Sequence, residues 1–239
     1  MPNGIYSAAA GMAAQQTRID AIANDLANTS TTGYKHERVG FRDLVYNEEQ
    51  GMPVGSGVAS VSVGQSFQQG SLVDSDNPLA LAIQGPGFFQ VKRADGTTAL
   101  TRAGDLGLDA NGSLVTATGE ELVPPIKVPK GTQPGDISIG ADGAVTVAGK
   151  SVGKIQLVDV PTPAGLQPVG NTEFVPTRAS GAATAARGAT LKQASLESSN
   201  VDVATAMTDL MDAQRNFDMA SRVIRMQDQL MEIANGIRR

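Results

Sequence analysis

Cysteine is absent from all 239 residues of the chain. Its absence excludes disulfide bonds, zinc–thiolate sites, iron–sulfur clusters and cysteine nucleophiles together. It does not select a compartment, because a chain without cysteine tolerates oxidising and reducing surroundings equally. Tryptophan is also absent, and aromatic residues make up only 4% of the chain. An exposed aromatic platform for binding a ligand is therefore not expected.

Histidine occurs once, at position 36. A Ser–His–Asp triad or a histidine-rich metal site would have to use His36. Its neighbours Lys35 and Glu37 place it in a polar segment, which is typical of a plain surface residue. We therefore expect no catalytic residue and no enzyme activity.

Two short motifs are reminiscent of ligand sites but lack the required spacing. Gly85-Pro86-Gly87 is not followed by the Lys-Ser/Thr pair of a phosphate-binding loop, and we interpret it as a hairpin turn. Asp105, Asp109 and Asn111 lack the loop length and closing glutamate of a calcium site. We interpret them as turn residues and expect neither a cofactor nor a metal.

Clustered basic residues and long apolar runs are missing too. The net charge of −5 argues against nucleic acid as a partner, since phosphate binding needs a lysine- and arginine-rich surface. No apolar run approaches the roughly 18 to 20 residues of a membrane span. The first residues lack a basic segment followed by an apolar one, so a cleaved signal peptide is not expected. On these features alone, a cytoplasmic protein is predicted.

Apolar residues at the N-terminal end recur with a spacing of seven. They are Ile5, Met12, Ile19 and Leu26, with Ile22 filling the space between. This spacing predicts a helix with a coiled-coil stripe. The helix should end in the polar run 28–33, whose side chains favour turns over helix.

The C-terminal end carries a longer stripe of the same kind. Val203, Leu210, Phe217, Ile224 and Met231 keep the spacing of seven, and Met207 widens the stripe. We expect a helix over 200–234, with its N-cap supplied by the range 198–200. Such a helix would be roughly 50 Å long at about 1.5 Å per residue, longer than a compact domain of this size needs.

Short strands separated by turns are predicted between the two helices. Asp95-Gly96, Asn111-Gly112 and Asp142-Gly143 are turn dipeptides between apolar segments. The predicted fold class is α+β, with an antiparallel β-rich central domain inserted between long N- and C-terminal helices that form a coiled-coil-like axial domain. The predicted divisions are residues 1–45 with 190–239 as the axial domain, 46–70 as a connector and 71–189 as the β-rich domain.

Motifs in both ends and in the middle resemble those of bacterial flagellar rod and hook subunits. They are Ile22–Asn28, Thr31–Lys35, Gly85–Val91, Leu100–Arg102, Ser199–Val203, Ala213–Phe217 and Ser221–Ile224. The signature residues within them are Asn24, Leu26, Asn28, Gly33, Tyr34, Ser199, Asn200 and Val201. The resemblance runs in order along nearly the whole chain, and distal rod subunits are its nearest match. Proximal rod, hook and other hook–basal-body paralogues remain alternatives.

The resemblance implies a structural subunit that self-assembles into a tubular drive shaft. It implies homo-oligomerisation, contact with other rod and hook subunits, and export by the flagellar apparatus without a cleaved signal peptide. The implied location is the flagellar basal body in the cell envelope, which replaces the cytoplasmic prediction. The assembly interface is predicted to consist of Ile5, Met12, Ile19, Ile22, Leu26, Val203, Met207, Leu210, Phe217, Ile224 and Met231. A remoter alternative is a β-domain binding module dimerised by a helical stalk.

Overall fold

A computed structural model describes residues 3–44, 46–49, 52–55 and 57–237, which contain two α-helices and twenty β-strands. The helices are α1 (Asn3–Ala27) and α2 (Val203–Ile237). The strands in chain order are β1 (Glu37–Asp43), β2 (Tyr46–Glu49), β3 (Met52–Gly55), β4 (Val58–Gln65), β5 (Leu72–Asp74), β6 (Leu81–Gln84), β7 (Phe88–Lys92), β8 (Thr98–Thr101), β9 (Leu106–Leu108), β10 (Leu114–Thr116), β11 (Glu121–Leu122), β12 (Ile137–Ile139), β13 (Ala144–Val147), β14 (Lys150–Lys154), β15 (Leu157–Asp159), β16 (Gln167–Gly170), β17 (Glu173–Val175), β18 (Thr184–Ala185), β19 (Thr190–Gln193) and β20 (Ser195–Glu197). The predicted α+β class, with a β-rich region between terminal helices, is confirmed. Over the described ranges, neither helix is apolar enough to cross a membrane.

The chain packs into two units. The first combines the described residues up to Ala27, the range Glu37–Val63 and the described residues from Asp202 onward. The second combines Asn28–His36 with Gly64–Val201. Both helices therefore belong to the first unit, and most strands belong to the second.

In the first unit α1 packs against α2 in an antiparallel arrangement. Gly4, at the start of α1, lies beside the side chain of Gln227, near the end of α2. Further along, Arg18 donates to the carboxylate of Asp209 at 2.9 Å. The pairing thus runs over most of the length of α1, and β1 packs on α1 as well.

The N-cap of α2 differs from the one predicted. Asp202, not the range 198–200, receives the free donors of the first turn: its carboxylate accepts from the Ala204 N–H at 3.2 Å and from the Thr205 hydroxyl at 2.6 Å. The Thr205 hydrogen bond, followed by that from Ala204, lowers the pKa of Asp202. The amide of Asn200 is instead engaged by the main chain of the second unit.

The range 46–70, interpreted from its composition as a connector, contains strands β2, β3 and β4. Strand β2 pairs with β3, and β4 pairs with β1. The alternation Val61-Ser62-Val63 has the period of two that suits a strand. Because most other residues of this range are small or polar, its composition did not indicate the strands that it contains.

The second unit is built around β7, whose consecutive side chains face opposite cores. Phe88 joins Leu100, Val160 and Phe174 in a smaller core, where Phe67 packs edge-on against both Phe88 and Phe174. The larger core lies on the other face. It comprises Leu79, Leu81, Ile83, Phe89, Val91, Ala99, Leu106, Leu114, Leu122, Ile126, Val128, Ile137, Ile139, Val145, Val147, Ile155 and Leu191.

The strand pairings within the second unit are antiparallel, and three of the predicted turns are hairpins. Asp95-Gly96 connects β7 to β8, Asn111-Gly112 connects β9 to β10, and Asp142-Gly143 connects β12 to β13. The hairpin predicted at Gly85-Pro86-Gly87 is wrong. This segment leads from β6, which pairs with β19, to β7 in a different sheet, because apolar strands on both sides of a turn do not fix their partners.

A pair of glutamates shares one arginine in the second unit. The carboxylate of Glu173 lies 3.2 Å from the Nε of Arg93, and that of Glu120 lies 3.9 Å from the same atom. Burial raises the pKa of Glu173 from its ordinary 4.5 to about 7, the Glu120 carboxyl acts in the same direction, and Arg93 opposes both. The fold therefore favours the protonated form of Glu173.

This shift predicts a loss of stability as the pH rises. A raised pKa contributes stability that is complete below pH 4.5 and disappears as the pH rises through about 7. Glu173→Gln should flatten the decline in the free energy of unfolding between pH 5 and pH 8 by roughly 1–2 kcal/mol. Thermal unfolding across this pH range checks the effect. Glu121→Gln, at an exposed glutamate, should leave the decline unchanged, and an equal effect of both variants would contradict the assignment.

Candidate assembly site

The face of α2 turned towards α1 carries a row of side chains with reduced exposure, which we call the inner row. Its members are Ala206, Leu210, Ala213, Phe217, Ala220, Ile224 and Gln227. The steps alternate between four and three residues, which keeps a stripe on one side of a helix. Ala213, at the centre, is fully buried, and Ala14 and Ala21 are buried on α1. Small side chains at these positions let the two backbones approach closely.

The predicted assembly residues fall into two groups. The first group is half-buried: Ile5, Met12, Ile19, Ile22, Leu26, Leu210, Phe217 and Ile224. The second group is exposed: Val203, Met207 and Met231. Spacing by itself did not separate these groups, because a repeat of seven residues drifts around a straight helix, and Met207 lies outside the inner row.

A second row on α2 is exposed to solvent, and we call it the outer row. It consists of Met219, Val223, Met226, Leu230 and Ile233, each about half exposed or more. These residues again step by four and three, so they form a continuous apolar stripe on a face distinct from the inner row. This row was not predicted, although the spacing that identifies it is present in the sequence.

An exposed row of mostly small residues, the small row, runs along α1. It consists of Tyr6, Ala9, Ala13, Gln16, Asp20, Ala23 and Ala27. The steps alternate between three and four residues, as in the outer row. The Gln16 amide donates to the Asp20 carboxylate at 2.9 Å, so these two polar side chains near the centre of the row are held against each other.

Within the second unit, three charged side chains meet in the interior and form what we call the charge cluster. Glu197 accepts from the Lys35 ammonium at 2.5 Å and from the Arg102 guanidinium at 3.1 Å. All three side chains are buried. The Gly70 N–H donates to the same carboxylate at 3.0 Å, and Lys35 also donates to the Gln68 carbonyl at 2.7 Å.

Backbone hydrogen bonds surround the charge cluster. The Gly33 N–H donates to the Glu197 carbonyl at 2.8 Å, and the His36 N–H donates to the Asn200 side chain at 2.9 Å. Asn200 in turn donates to the carbonyls of Ser66 and Gln68. The segments 33–36, 66–70 and 197–200 are thereby tied to one another inside the second unit.

Gly33 makes this close arrangement possible. Its φ of 69° lies in the left-handed region, and an added Cβ would lie 2.6 Å from the Ala103 nitrogen. Any larger residue would therefore meet the backbone that follows Arg102. The signature glycine is required for close approach of two chain segments.

The eight predicted signature residues divide between the two units. Asn24 and Leu26 lie on α1, whereas Asn28, Gly33, Tyr34, Ser199, Asn200 and Val201 belong to the second unit. Gly33 and Asn200 contact the segments around the charge cluster, as described above. Tyr34 is buried, and its carbonyl accepts from the Asn200 N–H at 3.4 Å. Asn28 accepts from the Thr31 hydroxyl at 3.1 Å, and the Val201 N–H donates to Ser199.

The charge cluster itself was missed at the sequence level. Lys35 and Arg102 lie within recognised motifs, but nothing in the spacing of Lys35, Arg102 and Glu197 indicates that they meet. The prediction that His36 is a plain surface residue is also wrong. His36 is half-buried, and its Nδ1 lies 3.3 Å from the Asn200 oxygen, because its backbone is part of the same tied segment.

The aromatic residues of the second unit form its core instead of a binding platform. Phe88, Phe89 and Phe174 are buried, and Phe67 is half-buried between two of them. A shallow groove of about 420 Å³ is lined by Thr29, Ser30, Thr32, Val73, Asp74, Ser75, Asp76, Leu196, Glu197 and Ser198. This lining consists mainly of hydroxyl and carboxylate groups.

Three family models match the chain in order. The model described as flagella basal body rod protein matches residues 5–35, and the flagellar hook protein FlgE/F/G D1 domain matches residues 82–147. The flagellar basal body rod FlgEFG protein C-terminal model matches residues 192–237. The first and third matches contain the small row and the outer row, respectively.

Full-length relatives agree with these matches. The flagellar basal-body rod protein FlgG of Agrobacterium fabrum is 39% identical, over 95% of this chain and 96% of the relative. FlgG of Caulobacter vibrioides is 37% identical over 98% of both chains. The chain belongs to the flagellar basal-body rod protein family. FlgF of Mesorhizobium japonicum, from the same family, is 30% identical over 94% of this chain and 93% of the relative.

Membership in the flagellar basal-body rod protein family makes the chain a structural subunit of the flagellar basal-body rod. FlgG relatives place it with distal rod subunits. The predicted resemblance is confirmed, and the basal-body location replaces the cytoplasmic prediction made from composition.

The charge cluster gives a direct test of what holds the second unit together. Glu197→Gln would leave Lys35 and Arg102 buried without a carboxylate, and removal of one partner from a buried ion pair costs about 3–5 kcal/mol. Denaturant unfolding followed by circular dichroism should show a loss of this size. Glu121→Gln is the matched control at an exposed position. A loss below about 0.5 kcal/mol for Glu197→Gln would contradict the role of the charge cluster.

Proposed function

We propose that this rod subunit assembles by docking the outer row of one copy onto the small row of the next copy. The observation that carries the proposal is the exposed apolar stripe on α2, which α1 of the same chain leaves uncovered. Five large apolar side chains in one continuous row are costly to leave in water. Another copy is the occupant favoured by the complementary row on α1.

Size complementarity supports this pairing. Met226 and Leu230 are large, whereas Ala13 and Ala23 in the small row are small. Large side chains of one helix fit above small side chains of another when both rows step by three and four residues. Two small rows facing each other would bury little apolar surface, so the contact between unlike rows is preferred.

Charge supports the same pairing. Arg222 lies one helical turn from both Met219 and Met226 and is exposed beside the outer row. Asp20 lies in the small row and is exposed. Opposite charges at the two faces favour their approach and select the register of contact.

The pairing of unlike faces leads to an open assembly. Each copy would offer one outer row and accept one at its small row, which is a head-to-tail contact. Such contacts continue without limit when the rotation between copies does not close a ring. A tubular drive shaft follows, and torque would pass through many parallel helix contacts without any chemical step.

In this proposal, α1 and α2 pair as a coiled coil and form the axial domain, for which residues 1–45 with 190–239 were predicted. Within those ranges, the segments 28–36 and 190–201 pack in the second unit. Residues 71–189 form the β-rich domain, which takes no part in the helix contacts between copies. Other rod and hook subunits would meet the free faces at the ends of the assembly. Export by the flagellar apparatus without a cleaved signal peptide, and assembly in the periplasm, belong to the same proposal.

Polar substitution in the outer row tests the proposal. Met226→Gln with Leu230→Gln should abolish rod formation and motility in a strain that lacks the wild-type gene. The reason is that two central apolar contacts of each interface would be replaced by solvated amides. Because both side chains are exposed, the thermal unfolding of the monomer should be unchanged.

A matched control lies on the same helix. Met211 is 49% exposed, compared with 60% for Met226, and lies outside the outer row. Met211→Gln should leave rod formation intact. Normal rods with the double variant, or equal defects with Met211→Gln, would refute the assignment of the outer row.

A further inference from the structure

The charge cluster contains two cations for one carboxylate. Arg102 and Glu197 both lie in the continuous range Gly64–Val201, whereas Lys35 comes from the separate segment Asn28–His36. Without Lys35, the Glu197 carboxylate would retain Arg102 and the Gly70 N–H as partners. The range 64–201 therefore holds a balanced ion pair of its own, and Lys35 adds a third buried charge.

Arg102 has further partners that belong to the β-rich core. Its guanidinium donates to the Gly85 carbonyl at 3.0 Å and lies 5.3 Å from the centre of the Phe88 ring. Its loss would therefore disturb the core as well as the ion pair. Lys35 contacts Glu197 and the Gln68 carbonyl, so its bonds join chain segments instead of filling the core.

Burial of the Lys35 ammonium is costly. Desolvation lowers the pKa of Lys35, and Arg102 adds repulsion in the same direction, while the hydrogen bond and charge of Glu197 oppose them. Replacement of a buried ion by an apolar group of similar volume is often neutral or stabilising. A net gain in the free energy of unfolding therefore does not explain why a lysine occupies position 35.

We propose that Lys35 is a positioning residue, whose ammonium fixes the placement of segment 31–36 against segments 66–70 and 197–200. The Lys35 ammonium must reach both the Glu197 carboxylate and the Gln68 carbonyl. This requirement restricts segment 31–36 to one placement. An apolar side chain would fill the same space without directional bonds and would permit several placements. Segment 31–36 connects α1 to β1, so its placement sets where the chain leaves the second unit.

Lys35→Met in the full-length chain tests the proposal. Methionine has similar length, carries no charge and leaves Arg102 paired with Glu197. Amide exchange in the peptide 31–36 should become faster by about tenfold or more, because its hydrogen bonds open more often. Exchange in the peptide 81–92, in the core, should be unchanged, and the thermal midpoint should be equal to or above that of the wild type.

Two variants separate positioning from simple stabilisation. Lys92→Met, at an exposed lysine, should change neither exchange nor midpoint. Arg102→Met should lower the midpoint and speed exchange in both peptides. A lowered midpoint for Lys35→Met, with faster exchange in both peptides, would show a structural role and overturn the proposal. Unchanged exchange in the peptide 31–36 would overturn it as well.

These measurements use the monomer and do not depend on the proposed docking of the outer row. Motility of a strain that carries Lys35→Met provides the functional readout, and it rests on the proposed function. Reduced motility with a normal midpoint is expected. If outer-row variants assembled normally while Lys35→Met gave the expected exchange, the docking proposal would fail and the positioning role would stand.

Discussion

The second unit depends on one buried carboxylate, that of Glu197. It holds a lysine from the segment after α1 and an arginine from the β-rich core, and it lies just before α2. Removal of that carboxylate would leave two buried cations without a counter-ion, which is strongly destabilising. The segments that lead to both helices are thereby joined to the β-rich core by hydrogen bonds inside the second unit.

The two helices show which features of the fold could be predicted from the sequence alone. Spacing of apolar residues predicted both helices and the stripes Ile5–Leu26 and Val203–Met231, because periodicity reports directly on helical faces. It did not separate the partly buried inner row from the exposed outer row, since both consist mainly of apolar residues with the same steps. Which row another helix covers depends on tertiary packing, as the alanines at 14 and 213 show.

The charge cluster and the turn at Gly85-Pro86-Gly87 show a second limit. Lys35, Arg102 and Glu197 are far apart in the chain, so no local pattern connects them. Turn dipeptides such as Asp95-Gly96 were assigned correctly because a tight turn pairs the strands on either side of it. Gly85-Pro86-Gly87 leads instead from one sheet to another. Which strands pair with β6 and β7 depends on tertiary packing and not on the turn between them.

In the proposed assembly, the outer row of α2 meets the small row of α1 in another copy. A photo-crosslinking amino acid at Met226 in assembled rods tests this contact most directly, with the adducts mapped by mass spectrometry. The predicted result is a crosslink between two copies that falls within residues 6–27. Adducts confined to a single copy, or adducts to another copy outside this range, would contradict the proposed contact between the two rows.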